Sequence, residues 1–240
     1  MSAPGGRIVE VAALDLAYAP APWPFARERA AAIAANWADR LAALPGLFDG
    51  RVLLAGSHAY VAREGATALR AAFFETDYKS FLAWRDFGYP DRNVSNCFSM
   101  AALQGADGGF LLGEMAAHTS SAGAAYFPAG TPDHSDIFGD RVDLAASARR
   151  ELLEETGIAP GEVVEAPGWT IVDAPPRIAC MKVMRMTEPA QRIQARVDRF
   201  LAADPDAELR RMHVVRAMSD LEGIRCPDFM KDFLRHALAA

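Results

Sequence analysis

The sequence predicts an α/β protein in which a mixed sheet is covered by helices and preceded by a small α+β unit. Three observations predict it. Strand-like and helix-like segments alternate irregularly along the chain. The pattern changes near Asn93, beyond which longer apolar runs begin. The 240 residues, 51% hydrophobic and 23% charged, supply a core for one globular unit with an N-terminal elaboration. The expected division is an α+β region at 1–92 and the main domain at 93–240.

Residues 7–14 alternate weakly and read as a strand, and the Ala19-Pro20-Ala21-Pro22-Trp23-Pro24 run stiffens the chain into a non-helical link. Phe25, Ile33, Trp37, Leu41 and Leu44 then recur at helical spacing, which predicts one amphipathic helix over 25–44, ended by Pro45-Gly46. Residues 51–55 and 58–62 flank Gly56-Ser57 and read as a hairpin, with a third strand at 66–74. A helix at 78–87 is closed by Gly88-Tyr89-Pro90. Strands at 97–103 and 110–115 are joined by a glycine-rich turn, and Phe127-Pro128-Ala129-Gly130 with an acidic loop leads into a helix over 142–156. Gly157 stops that helix and Pro160 follows. Strands at 163–172, 178–186 and 214–218 and helices at 189–203 and 227–238 complete the chain.

Composition excludes several classes. With 25 Lys+Arg against 31 Asp+Glu, a net charge of −6 and no dense basic run, the chain lacks an electrostatic footprint for nucleic acid. Cys97, Cys180 and Cys226 are too scattered for a disulfide framework or a zinc knuckle, which favours a reducing compartment. Residues 1–11 contain no signal-length apolar run, and 18 uncharged apolar residues never follow one another, so the expectation is a cytoplasmic protein without a membrane partner. Neither a phosphate-cradling G-x-x-x-x-G-K-[ST] loop nor a G-x-G-x-x-G fingerprint occurs. The hydroxyl run Thr119-Ser120-Ser121 lacks the G-x-S-x-G elbow of a serine nucleophile.

The chemistry concentrates in Arg150-Glu151-Leu152-Leu153-Glu154-Glu155-Thr156-Gly157-Ile158. Offsets of three and four residues return to one helical face, so Glu151, Glu154 and Glu155 are expected to stand together while Leu152 enters the core. Three crowded carboxylates repel one another unless a hard divalent cation supplies the missing charge through oxygen ligation, as Mg²⁺ does. The segment resembles the second half of the Nudix box, R-E-U-x-E-E-x-G-U with U aliphatic, at all seven specified positions. Phe127-Pro128-Ala129-Gly130 resembles the F-P-G-G turn that opens the box. The first half departs: Val142 stands where the pattern expects a Glu, Asp136 where it expects a Gly, and Gly130 lies six residues too far upstream. A loop insertion explains the spacing, with Asp140 and Asp143 as candidates for the absent carboxylate.

The resemblance implies a Nudix-type α/β/α sandwich and hydrolysis of a nucleoside diphosphate linked to another moiety. It implies Glu151, Glu154 and Glu155 as ligands of Mg²⁺, with Mn²⁺ as the alternative ion, and Arg150 as the group that fixes a carboxylate rotamer. Gly130, Asp133, His134 and Asp136 are the expected substrate-binding residues. The extended loop, with a Pro, a His and an Asp soon after the Gly, and Tyr78-Lys79-Ser80-Phe81 are similar to the UDP-glucose diphosphatase branch, which implies a UDP-sugar cleaved to UMP and a sugar 1-phosphate. Glu162, Glu165, Glu188 and Glu208 are unranked candidates for the general base. Val142 motivates the alternative of a module that binds a nucleotide sugar without cleaving it. Residues 1–92 are left two roles, part of the substrate pocket or the contact of a homodimer.

Overall fold

The computed structural model describes residues 6–63 and 65–239. In chain order the elements begin with β1 (Arg7–Val11), β2 (Ala13–Tyr18), α1 (Pro24–Glu28), α2 (Ala30–Ala43), β3 (Arg51–Arg63), β4 (Ala66–Asp77) and α3 (Tyr78–Asp86). They continue with β5 (Asn96–Gln104), β6 (Phe110–Met115), β7 (Ala125–Tyr126), β8 (Ile137–Phe138), β9 (Arg141–Val142) and α4 (Leu144–Thr156). The remainder is β10 (Val164–Glu165), β11 (Trp169–Ala174), β12 (Arg177–Arg185), α5 (Ala190–Leu201), β13 (Leu209–Val215) and α6 (Asp228–Ala237).

Two mixed sheets result. The larger runs β1-β11-β12-β5-β6-β13, with β10 on β12 and β7 on β6, and its β12–β5 pair is parallel. The smaller runs β3-β4-β2-β9-β8, with β2–β4 parallel. Alternation along the central strand decides the layers, because successive side chains point to opposite faces. Phe98, Met100 and Ala102 pack with Met230, Phe233 and Leu234 of α6 on one face. Ala101 and Leu103 pack with Ala148 and Leu152 of α4 and Ile193 and Val197 of α5 on the other. That arrangement is an α/β/α sandwich. At its far end Cys97, Ile178 and Cys180 meet Leu16, Leu53, Leu69 and Phe73 of the smaller sheet, whose other face is covered by α1, α2 and α3 through Phe25, Ile33, Phe81 and Trp84.

Several elements differ from expectation for identifiable reasons. The N-terminal strand breaks at Ala12, whose N–H donates to the Thr67 carbonyl, and its halves enter different sheets. The expected hairpin at Gly56-Ser57 does not form. Both halves of 51–63 find a partner in the twelve-residue β4, so β3 runs through and the extra residue is absorbed as a register shift between Ala55 and Ser57. The single helix expected at 25–44 is interrupted at Arg29. The acidic loop after Gly130 is partly ordered: residues 134–136 form a helical turn, and β8 and β9 make a two-residue hairpin whose Gly139 has φ +65°, a conformation that favours glycine. Ala17 pairs with Arg141, which joins that hairpin to the smaller sheet. Strand pairing therefore crosses residue 92 in both directions. Among the described residues no helix is long and apolar enough to cross a membrane.

Candidate active site

The site is built on the last turns of α4. Asp143 starts that helix, its carboxylate accepting from the N–H groups of Ala145 and Ala146, and Gly157 ends it in a left-handed conformation with φ +68°. Leu152 enters the core as its position requires, which turns Glu151 and Glu155 toward the turn at Ala129-Gly130. The Ala129 N–H donates to Glu155 Oε1 at 3.3 Å. Gly130 lies so close to Glu151 that an added Cβ would stand 2.3 Å from Oε1, so only glycine leaves the carboxylate its place.

Glu155 is buried and Glu151 is mostly shielded from water. Glu155 is 7% exposed, and its Oε2 is buried without any hydrogen-bond partner. Burial first, then the charge of Glu151, pushes its carboxyl well above the usual range. Burial also pushes Glu151 up to about 7, against the pull of Arg150 and with the help of Glu154 and Glu208. Glu154 is different: its side chain is 58% exposed and pairs with Arg150 at 3.7 Å. The expected convergence of three acids is thus a convergence of two. An i, i+3, i+4 triplet spans a wide arc, and the direction that buries Leu152 turns its middle member to solvent. Among the described residues no three acidic, His or Cys side chains stand in metal-ligand array. A cation still fits Glu151 and Glu155, because an orphaned buried carboxylate oxygen beside a second buried carboxylate is short of positive charge.

Arg150 works as a clasp. It contacts Glu151 at 2.9 Å and Asp136 at 3.0 and 3.2 Å, tying the loop before β8 to α4. Asp136 is almost wholly buried, and burial raises its pKa although the Asp133 N–H and Arg150 oppose the rise. Asp133 caps the short helical turn, accepting from the Ser135 N–H and hydroxyl. These two acids, expected to bind substrate, are engaged in holding the loop. His134 is largely exposed and sits 3.1 Å from Glu75, on the loop's outer side. Val142 is buried between the two sheets, Asp143 is occupied as the helix cap, and Asp140 lies exposed in the hairpin turn. Neither aspartate replaces the missing glutamate.

A cleft of about 1260 Å³ is lined by Ala129 and Gly130, the two residues that lie against Glu155 and Glu151. It is lined by Asn96, Phe98 and Met100 of β5, by Tyr78, Phe81 and Arg85 of α3, and by Tyr126 and Glu208. It exceeds the roughly 300–1,000 Å³ of ordinary small-molecule sites. The structure also separates the later glutamates. Glu162 and Glu188 pair with Arg196, and Glu165 pairs with Arg149 and Lys182. Glu208 lines the cleft, and its charge raises both Glu151 and Glu155. Arg85 also lines the cleft, a placement the sequence gives no sign of, because a lone arginine on an amphipathic helix carries no signal of its own. Of the aromatics near the site, Trp84 and Trp169 are core residues and Tyr126 lines the cleft.

No protein-family model matches the chain. No curated protein matches it either. Among solved structures, a Nudix hydrolase from M. smegmatis, RenU, is similar over 60% of this chain and 84% of its own, with 13% identity and a TM-score of 0.40. A MutT protein from Methanosarcina mazei Go1 is similar over 60% of this chain and 94% of its own, with 18% identity and a TM-score of 0.37. Likenesses this distant carry no chemistry across, and the geometry of the site decides the functional reading.

Proposed function

We propose that this chain is a metal-dependent Nudix-type hydrolase that splits the diphosphate linkage of a nucleoside diphosphate joined to another moiety, with a UDP-sugar as the first substrate and UMP and a sugar 1-phosphate as products. One observation carries the reading: Glu155 is buried with an oxygen that has no partner, and the mostly shielded Glu151 is one helical turn away. Holding uncompensated charge there lowers the stability of the fold, an arrangement that makes sense where a cation and a phosphate ester are to be received. When bound, Mg²⁺ would supply positive charge to the diphosphate and acidify the attacking water.

The chain's own residues supply the rest. Arg150 holds the Glu151 carboxylate in one rotamer through its rigid fork. Gly130 keeps the backbone out of that carboxylate's way. Glu208, in the cleft and unlike Glu162, Glu165 and Glu188 not tied into the ion pairs of Arg196, Arg149 and Lys182, is the residue that takes the proton of the attacking water. Catalysis of this kind is chiefly positioning and charge stabilisation, for which side chains fixed by packing are suited. The UDP-sugar assignment is supported by the extended loop after Gly130 and by a cleft large enough for a two-part substrate.

The test is incubation with Mg²⁺ or Mn²⁺ and a panel of UDP-sugars, ADP-ribose, NADH, dinucleoside polyphosphates and 8-oxo-dGTP, read by phosphorus NMR. Glu155→Gln is expected to lower turnover by on the order of 100-fold or more and Glu154→Gln by less than about tenfold, with folding intact. A second reading, a nucleotide-sugar-binding module, is favoured by the core position of Val142 and the outward turn of Glu154. Binding without any new phosphorus signal would select it.

A further inference from the structure

The cleft has an acidic side and a side contributed by residues before Asn93, and the second contains a cation that the proposed reaction does not yet use. Arg85 is on α3, seven residues after Tyr78 and four after Phe81, and all three line the cleft. Such spacing sets them along one helical face. The side chain is about a quarter exposed. Its carboxylate neighbour within ion-pair reach is Asp86, at 3.8 Å and poorly placed. Asp86 is already taken: Arg40 binds both of its oxygens and the Asn36 amide donates to it. The guanidinium therefore keeps most of its charge and its hydrogen-bond donors for the cleft.

Tyr126 registers both walls. Burial pushes its phenol up to about 12, the charges of Glu155 and Glu208 push the same way, and Arg85 pulls it down. The ring thus lies within electrostatic reach of the acidic pair's side and of Arg85. A diphosphate placed between these walls presents oxygens to both. Those near Glu208 meet negative charge, while those near α3 meet an arginine whose planar fork suits phosphate oxygens in a bidentate manner; Arg177, Arg225 and Arg235 also line the cleft but donate to Tyr89, Ser121 and Asp232.

We propose that Arg85 is a substrate-binding residue that receives the phosphate oxygens of the nucleoside diphosphate from the α3 side of the cleft. Tyr78, Phe81 and Tyr89 then offer aromatic surface beside those phosphates for the uncharged part of the substrate. This gives residues 78–89 a place in the substrate pocket. The assignment rests on the nucleoside diphosphate reading of the same site, and its test separates the two.

The experiment is calorimetric titration of UDP into the full chain in EDTA at two salt concentrations, together with KM and kcat in Mg²⁺ for whichever UDP-sugar turns over. Arg85→Gln is expected to weaken UDP binding roughly tenfold to a hundredfold and to flatten its salt dependence, with the loss appearing in KM more than in kcat. Arg85→Lys keeps the charge without the fork and should fall between that variant and wild type. Arg27→Gln, which removes an equal charge from the exposed surface of α1, controls for net charge and should change nothing. Affinity in Arg85→Gln within about twofold of wild type, with a native circular dichroism spectrum, would overturn the proposal. So would a wild-type chain that binds no UDP. If Arg85→Gln does not fold, an unchanged affinity in Arg85→Lys overturns it instead. Arg85-dependent UDP binding in a chain that hydrolyses nothing would sustain this inference and sink the hydrolase reading. Hydrolysis with an unaltered Arg85→Gln would do the reverse.

Discussion

Replacing Glu151 by Gln should make the metal-free protein more stable, and only at a pH where the wild-type carboxyl is ionised. Burial holds that carboxyl at about 7 even though Arg150 is 2.9 Å away. The gap between about 7 and the ordinary 4.5 corresponds to about 3 kcal/mol at roughly 1.36 kcal/mol per pH unit, an upper bound because 12% of the side chain still meets water. The sign follows from proton linkage. Between pH 4.5 and about 7 the folded carboxyl keeps a proton that the unfolded chain has released, so wild-type stability declines across that window. The cost is absent below the window and complete above it. A glutamine has no such slope.

Urea unfolding in EDTA should therefore place Glu151→Gln about 1–3 kcal/mol above wild type at pH 8 and level with it at pH 4. In thermal melts each kcal/mol should appear as about 2–4 °C for a chain of this size. Mg²⁺ added at pH 8 should stabilise wild type by mass action and narrow the gap, because the variant has lost one of the two carboxylates that fit a cation. A variant no more stable than wild type at pH 8 would refute the reasoning. Glu151 would then be an adequately compensated structural residue, and the main ground for a cation site would be gone.

Gly130→Ala should fold normally yet lose metal-dependent turnover by on the order of 10–100-fold, because the new Cβ meets the mobile end of Glu151 at 2.3 Å and swings it out of place; full kcat/KM in the variant would contradict this. Asp107→Ala removes a carboxylate that accepts from the Ala190 N–H at 2.9 Å and from Arg216 at 2.5 Å, so α5 loses its N-terminal acceptor and the fold about 1 kcal/mol. The Ala190 N–H is the first cause holding that carboxyl down at about 2, so the difference should be full above the ordinary 3.8 and shrink as pH falls toward about 2, which urea titrations at pH 7 and pH 3 will check. Arg150→Ala leaves the buried Asp136 without its cation and should cost about 1–3 kcal/mol, with faster amide exchange in β8 and β9 as the signature.

The parts of the molecule legible in the sequence were those whose signal is local. The α4 helix announces itself by Glu and Leu spacing and by Gly157, and the strands at β5, β6 and β12 by apolar runs. What was not legible depended on partners far along the chain. A Gly-Ser pair between two strand-like segments reads as a turn until β4 supplies one continuous partner for both. Arg7–Val11 reads as the start of a single strand until β11 claims it. Glu154 looks equivalent to its neighbours until the burial of Leu152 fixes the helix's rotation. Glu208 could not be ranked because its distinction is negative: three similar glutamates are neutralised by arginines that only the fold brings near.

The departure at Val142 follows from the same dependence. Residues after Gly130 form a hairpin whose Arg141 pairs with Ala17, so this loop becomes the edge of the second sheet. Position 142 then points between the sheets, packed with Leu16, Leu53, Phe73 and Cys180. A carboxylate at that position would be buried without a partner, at a cost of several kcal/mol, so a valine there is what the architecture requires. The start of α4 is held instead by Asp143, whose carboxylate is spent on capping. Among the box positions, acidic groups are left on the last turns of α4, with Glu208 in the neighbouring cleft, which extends to α3. On the reading that Arg85 receives phosphate, a site with fewer carboxylates than the box pattern expects draws part of its hold on substrate from α3. For that reason the Arg85 and Glu155 variants are expected to fail differently, the first in substrate affinity and the second in turnover.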